Sequence, residues 1–306
     1  MKKIILSFLK TIIPSNQRMQ LVRKYQQEKY RISNAKLRRK IIAFYRNSRC
    51  ILEEENEVLC FLEKNNLQVF PYDFVFKYDK SKIIVFFDEE LDLKYVMHFS
   101  KKLYFKRSLT VNAIQSLYRG LLIDQDKNSP HKYLKKDFQV KPTDIVVDAG
   151  AAEGNFSLEI IEIVKFIYLF ECDPEWVEPL QATFAPWKEK VKIINKKIGS
   201  KNTSKEISLD TFFEKQGFTF IKADIEGDEI NLLTGATKIL SRNIPLKLVL
   251  CTYHQHNDYE NFREILVERG FHITSNPGYM IFFYDKSIKP PYLRKALVKA
   301  EKDAKK

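Results

Sequence analysis

The sequence predicts an α/β protein with a seven-stranded, mostly parallel sheet, helices on both faces and an antiparallel C-terminal edge. After Pro142, short apolar segments alternate with helical ones, a pattern typical of parallel sheets covered on both sides. The last two apolar segments flank Asn276-Pro277-Gly278, a turn sequence that predicts an antiparallel pair. The seven strands are expected at 144–148, 167–170, 191–195, 218–224, 246–252, 272–275 and 279–284.

Two further regions precede this sheet, and a tail follows it. Residues 1–66 contain no glycine and read as a basic helical arm. Residues 67–128 are rich in β-branched and aromatic residues between short polar stretches, which indicates a small β-rich region, with a helix near 108–123. We therefore expect four parts: the arm at 1–66, the β-rich region at 67–128, the main domain at 129–289 and a basic tail at 290–306.

The excess of positive charge lies at the termini, and most of it is in the arm. The net charge is +13, and residues 1–50 hold 14 Lys or Arg against one acidic residue, Glu28. Such an arm can attract an anionic membrane surface or a protein partner. A nucleic-acid partner is not expected, because the rest of the chain is balanced in charge.

Cysteine usage and hydropathy predict a cytoplasmic protein. The basic arm adds the expectation of a peripheral association with a membrane. The four cysteines form no C-x-x-C pair, which is typical of thiols in a reducing compartment. No segment reaches the ~20 apolar residues that a bilayer-spanning helix needs.

The clearest motif is the stretch at 145–157, where a hydrophobic strand ends in Asp148 and two glycines open a helix. Gly150 permits a tight turn and Gly154 permits close backbone approach, so 148–154, including Ala151, is a candidate ligand-binding loop. A dinucleotide fold prefers G-x-G-x-x-G, and Ala152 stands where its middle glycine would be. A nicotinamide-dependent oxidoreductase therefore remains only as an alternative.

Carboxylates follow the next strand, 23 residues after Asp148. Glu171 and Asp173 end this strand, and neighbouring parallel strands end at the same edge of the sheet. Glu171 is placed to accept both hydroxyls of a ribose, and Asp173 is assigned to the same cofactor site. Taken by itself, Glu171 would be interpreted as a solvent-exposed acidic residue in a loop.

Two later strands also end in polar residues. Asp224 and Glu226 follow one, and His254 follows the other, so these three are the candidate catalytic residues. Lys222 lies within an apolar strand and needs a partner or an exit to solvent. Asp228 and Glu229 have a simpler interpretation as acids in a first helical turn. His254 and His256 are two residues apart, but no further ligand is obvious and no metal is predicted.

Five ordered motifs resemble the FkbM-family methyltransferases. They are VDAGAAEG at 147–154, LFECDP at 169–174, SLDTFF at 208–213, IKADIEGDE at 221–229 and LTGA at 233–236. The family usually shows D-x-G-A-N-x-G, F-E-P, T-L-D and K-x-D-V-E-G-x-E-x-x-x-L-x-G-A in that order. The chain departs at Ala152, where Asn is usual, and at Cys172 and Asp173 in place of the usual Pro after Glu.

This resemblance implies a Rossmann-like class I methyltransferase that uses S-adenosylmethionine (SAM) as cofactor. It further implies methyl transfer to an oxygen, with a sugar hydroxyl of a glycan as the expected acceptor and glycan-assembly proteins as partners of the arm. A non-catalytic adaptor that retains the fold is a third hypothesis, and the intact acids of the motifs argue against it.

Overall fold

The computed structural model describes residues 15–48 and 50–304. The first 14 residues of the predicted arm lie outside this part of the chain. A long helix, α1 (Ser15–Arg46), is followed by α2 (Glu53–Lys64). No helix of the described residues is long and apolar enough to cross a bilayer.

A small antiparallel sheet follows the two helices. It consists of β1 (Phe86–Asp88), β2 (Leu93–His98) and β3 (Lys101–Phe105), and it leads into α3 (Val111–Asp124). The predicted β-rich region is therefore shorter than expected. Its first segment forms 3-10 turns at Asp73–Lys77 and Lys80–Lys82 and joins no sheet.

The seven-stranded sheet is confirmed, and it is mostly parallel. The strands of this part of the chain are β4 (Ile145–Ala149), β5 (Phe166–Phe170), β6 (Val191–Ile194), β7 (Lys197–Ile198), β8 (Glu206–Ile207), β9 (Phe220–Ala223), β10 (Leu246–Cys251), β11 (His272–Thr274) and β12 (Leu297–Lys302). Their order in the sheet is β11-β12-β10-β9-β4-β5-β6, in which only β12 runs antiparallel to its two neighbours. A separate two-stranded parallel pair joins β7 and β8.

Helices connect these strands and cover the sheet. They are α4 (Asn155–Ile160), α5 (Val177–Phe184), α6 (Leu209–Gln216), α7 (Glu229–Thr234), α8 (Thr237–Ser241) and α9 (Asp258–Glu268). The single helix expected at 228–240 is divided into α7 and α8, because the chain turns at Gly235.

Each face of the sheet has its own hydrophobic core. Val146 and Val147 are adjacent in β4 and belong to different cores, as the alternation of side chains in a strand requires. The core that holds Val146 also contains Val58, Phe74 and Leu103 from the N-terminal half. The N-terminal region and one face of the sheet therefore bury their apolar side chains together.

The position of the last strand corrects the sequence prediction. Residues 279–284 form no strand, and only Met280 makes an isolated bridge, to Arg294. The sheet is completed instead by β12, which lies within the predicted tail. Leu297, Val298 and Ala300 are buried there, while the lysines between and after them give the segment the composition of a basic tail. The boundary predicted at residue 289 therefore cuts through the sheet domain.

Candidate active site

The loop between β4 and α4 is shaped by two glycines with positive φ. Gly150 has a φ of 74°, and a Cβ there would lie 2.0 Å from the backbone oxygen of Asp224. Gly154 has a φ of 83°, and its Cβ would meet side-chain atoms of Leu180 and Phe184 at 2.8 Å. Only glycine fits either position, so the loop is held tightly against the end of β9.

A buried ion pair lies directly beneath this loop. Lys222 in β9 is paired in register with Asp148 in β4, and its Nζ lies 3.0 Å from Asp148 Oδ1. The same ammonium donates to the carbonyl of Gly150 at 2.8 Å, and Ser157 Oγ donates to Asp148 Oδ2 at 2.7 Å. The expectation that Lys222 needs a partner is confirmed, and that partner is the carboxylate that ends β4.

Glu171, at the end of β5, is joined to the glycine loop. One carboxylate oxygen accepts the N–H of Ala152 at 2.9 Å, and the other accepts the N–H of Asp173 at 2.7 Å. The structure thus joins Glu171 to the glycine loop at Ala152, the residue that follows Ala151. Asp173 differs, because it caps the following 3-10 turn and forms an ion pair with Lys106.

Asp224, one residue beyond β9, is surrounded by hydrogen-bond donors. The hydroxyl of Tyr133 donates to Oδ2 at 2.9 Å, and the hydroxyl of Tyr253 donates to Oδ1 at 3.1 Å. The Nε2 atom of His131 lies 3.8 Å from Oδ2. Burial raises the pKa of Asp224, but nearby His131 and Lys222 and the Tyr133 hydroxyl lower it to about 2. This carboxylate is therefore charged at neutral pH.

His254 lies between this carboxylate and a second, fully buried one. Its Nδ1 is 3.2 Å from Glu229 Oε1, and its Nε2 is 3.7 Å from Asp224 Oδ1. Burial lowers the pKa of His254, but Glu229, together with the charges of Asp224 and Glu226, raises it overall. Glu229 also accepts the N–H of Ile225. Glu226 is at the rim, with its side chain 94% exposed and an oxygen 3.9 Å from Nε2. All three predicted catalytic residues therefore meet at one place.

Two overlapping groups of side chains have the composition of a metal site. Donor atoms of His131, Asp224 and Cys251 lie within 4.8 Å of one another, as do those of Asp224, Glu229 and His254. Both Asp224 oxygens accept tyrosine hydroxyls, and Cys251 Sγ is 3.3 Å from His131 Nε2, so the first group has partners without a cation. In the second group, Glu229 Oε1 accepts the N–H of Ile225, while Glu229 Oε2 and His254 Nδ1 have no hydrogen-bond partner among the described residues. Metal-free chemistry stays our prediction.

Sequence reasoning missed four residues of this cluster, and each has a physical reason. His131 and Tyr133 lie in an irregular segment with no motif, and they reach residues about 90–120 positions away. Tyr253 stands beside His254 but carries no signal of its own. Glu229 has the sequence pattern of a helix-capping acid, yet it is completely buried and faces His254.

The seven-stranded sheet, mostly parallel with β12 antiparallel, confirms the predicted Rossmann-like methyltransferase fold, and a cluster of acids and histidine lies at the ends of its strands. Residues 184–273 match the family described as Methyltransferase FkbM domain, which confirms the predicted resemblance. The matched segment includes three of the five motifs, at 208–213, 221–229 and 233–236. It also includes Asp224, Glu226, Glu229 and His254. No curated protein matches the chain in sequence.

Solved structures are similar to this chain at low identity. A methyltransferase FkbM from Methylobacillus flagellatus KT shares 16% identity, with a TM-score of 0.42. That alignment covers 62% of this chain and 53% of the other, so the chain spans about half the length of that relative. A Streptococcus mutans protein in complex with SAH shares 17% identity over 53% of this chain and 90% of that one, with a TM-score of 0.37.

Proposed function

We propose that this protein transfers a methyl group from SAM to a hydroxyl oxygen of a carbohydrate. The observation that carries the proposal is the cluster of Asp224, His254 and Glu229 beside the glycine loop, because it offers an oriented base next to the candidate cofactor site. The match to the methyltransferase FkbM domain over residues that include this cluster supports it.

The residues of the loop fit the cofactor. Glu171 uses one acceptor position on each oxygen for a backbone N–H, and each carboxylate oxygen has a second position for a ribose hydroxyl. The loop from Asp148 through Gly150, Ala151 and Gly154 would contact the methionine end. SAM supplies a methyl group on a positively charged sulfur. The fixed negative charge of Asp224 at the same edge of the sheet favours a cation there.

The acceptor hydroxyl must lose a proton as its oxygen bonds to the methyl carbon. His254 Nε2 takes this proton, and the charge on the resulting imidazolium is balanced by Glu229 at Nδ1. Asp224 orients the hydroxyl, while Glu226 is placed at the rim to contact the acceptor. The products are the methyl ether, S-adenosylhomocysteine and a proton that His254 later releases to water.

The location of the reaction is a second part of the proposal. The helix α1 presents exposed lysines and arginines, including Lys36, Arg39 and Lys40. A cationic helix of this kind is attracted to an anionic lipid surface or to an acidic glycan-assembly protein. We propose that α1 holds the enzyme near a surface at which its acceptor is presented.

Calorimetry with SAM and S-adenosylhomocysteine tests the cofactor assignment. We expect both to bind, and Glu171→Gln to weaken SAM binding by about 1.5–3 kcal/mol, the scale of a hydrogen bond to a charged group. Folded wild-type protein that binds neither would refute the proposal.

Incorporation of labelled methyl groups into carbohydrate acceptors tests the chemistry. His254→Ala should lower turnover by ~10²–10⁴-fold while SAM affinity is preserved. Unchanged turnover would remove His254 from the mechanism. Activity that is lost on dialysis against EDTA and restored by a divalent ion would overturn the metal-free prediction.

A further inference from the structure

A cleft of about 380 Å³ opens beside the cluster around Asp224. Its walls come from three separate parts of the chain: the segment after α2, the helix α3 and the segment after β11. Its inner end is formed by His131 and Tyr253, the residues that also contact Asp224. A molecule in the cleft would therefore extend towards the base and the candidate cofactor loop.

The walls of the cleft combine aromatic rings with one carboxyl group. The rings are those of Phe70, Tyr253, Phe282, Phe283 and Tyr284. Asp124, at the end of α3, is half-buried there, and its carboxyl group makes no hydrogen bond to the residues that the structure describes. A cleft of several hundred Å³ that combines aromatic rings with a few convergent polar groups is typical of a small-molecule site.

The carboxyl group of Asp124 is suited to a hydroxyl partner. Burial, together with repulsion from Asp224 and Glu153, raises its pKa well above the usual range. A carboxyl group that is protonated over more of the pH range can both donate to and accept from a hydroxyl.

The charge lining the cleft argues against an anionic ligand. Arg119 is the cation in its wall, and its guanidinium donates to the backbone carbonyls of Tyr78 and Val75 at 2.7 and 3.3 Å. Two nitrogens of this side chain are thus directed at the protein backbone. Asp224 is charged at neutral pH, so a carboxylate or phosphate on the ligand would meet negative charge near the inner end of the cleft.

We propose that this cleft is the acceptor pocket and that it binds a neutral saccharide ring. The aromatic side chains contact the C–H face of the sugar, and Asp124 bonds to its hydroxyls. The inference rests on the proposed methyl transfer and adds to it a site built largely by residues 68–124. The region without recognisable motifs thereby acquires a function in substrate binding.

Gly120 offers a direct way to close the cleft. It lines the cleft from α3, and a Cβ added there meets no atom within 4 Å. Alanine at this helical position is expected to be neutral or stabilising, since glycine lowers helix stability. Gly120→Phe should fill the cleft, with Gly120→Ala as the matched control, and Asp124→Leu replaces the carboxyl group by an apolar group of similar size that can neither donate nor accept a hydrogen bond.

Saturation-transfer NMR with methyl pyranosides of glucose, galactose, mannose and rhamnose provides the readout, with glucuronate as the anionic comparison. At least one neutral glycoside should bind to wild type and to Gly120→Ala, with at least tenfold weaker binding to Gly120→Phe and Asp124→Leu, and glucuronate should not bind. SAM calorimetry on the same samples should give equal affinities in all four proteins. It also reports separately on the cofactor proposal.

Two results would overturn the pocket. One is the absence of any neutral-glycoside signal in wild type that binds SAM. The other is a signal retained in both Gly120→Phe and Asp124→Leu, since the sugar would then bind elsewhere. If Gly120→Phe fails to fold, Asp124→Leu decides the question. Failure of SAM binding with normal sugar binding would instead count against the proposed function and leave the pocket intact.

Discussion

Replacing Lys222 by Met tests whether the candidate cofactor loop depends on the ion pair beneath it. Lys222 is 4% exposed and Asp148 is 0% exposed, with 3.0 Å between Nζ and Oδ1. Without the ammonium, Asp148 would remain a buried carboxylate with the hydroxyl of Ser157 as its remaining donor. Removing one member of such a pair costs about 3–5 kcal/mol, because a buried charge is left uncompensated. The free energy of unfolding of Lys222→Met should fall by that amount.

The double variant Asp148→Asn with Lys222→Met separates the charge from the packing. It removes both charges, so no uncompensated carboxylate remains, and a buried ion pair contributes little net stability beyond this. We expect the double variant to recover about 2 kcal/mol or more relative to Lys222→Met.

Urea unfolding followed by far-ultraviolet circular dichroism gives these free energies, and an unchanged dependence on urea would show that the unfolded state is comparable. A loss below about 1 kcal/mol in Lys222→Met would refute the reasoning. A double variant that loses the sum of the two single losses would also refute it, because the two residues would then be energetically independent.

Three other predictions follow from particular contacts. Glu229→Gln should lower the pKa of His254, because the charge of Glu229 raises that pKa against the effect of burial. The acidic limb of the kcat/KM profile should therefore move to lower pH. An unmoved limb would exclude Glu229 as a positioning residue. Ala152→Gly should stabilise the protein to thermal unfolding by about 0.5–1 kcal/mol, since Ala152 has a φ of 46°, which glycine adopts without strain; a loss of stability would contradict this. Triple replacement by Gln at residues 36, 39 and 40 should weaken binding to phosphatidylserine vesicles at low salt by about 3 kcal/mol, at about 1 kcal/mol per cation near such a surface; equal retention of wild type and variant would show that α1 does not bind there.

The sequence predicts those features that depend on neighbouring strands. Asp148, Glu171 and Asp224 each follow an apolar strand, and the right-handed crossover brings the carboxyl ends of parallel strands to one edge. The structure places all three acids at that edge. It also gives Lys222 the partner that the sequence predicts it needs, which is Asp148. Local pattern and a single topological rule are sufficient for this part of the site.

Features that depend on distant parts of the chain could not be predicted in this way. The strand β12 carries Lys299, whose ammonium is buried and donates to Asn276 Oδ1 at 2.7 Å. Nothing near Lys299 in sequence indicates that partner, so the segment resembles a solvated tail. Asn276 in turn donates to the carbonyls of Pro130 and Lys132, on either side of His131. The position of that histidine is thus determined by contacts from two remote segments.

Two imidazoles flank Asp224, and their surroundings decide which one can take a proton from the acceptor. Burial lowers the pKa of His131 to about 4, despite the charge of Asp224. The Nδ1 of His254 instead faces the buried carboxylate of Glu229, which raises the pKa of His254 in spite of burial. A base near neutral pH must hold a proton without a large cost, and among these two histidines only His254 meets that requirement. His131 is neutral, and its contacts with Asp224 and Cys251 suit it to shape the inner end of the cleft.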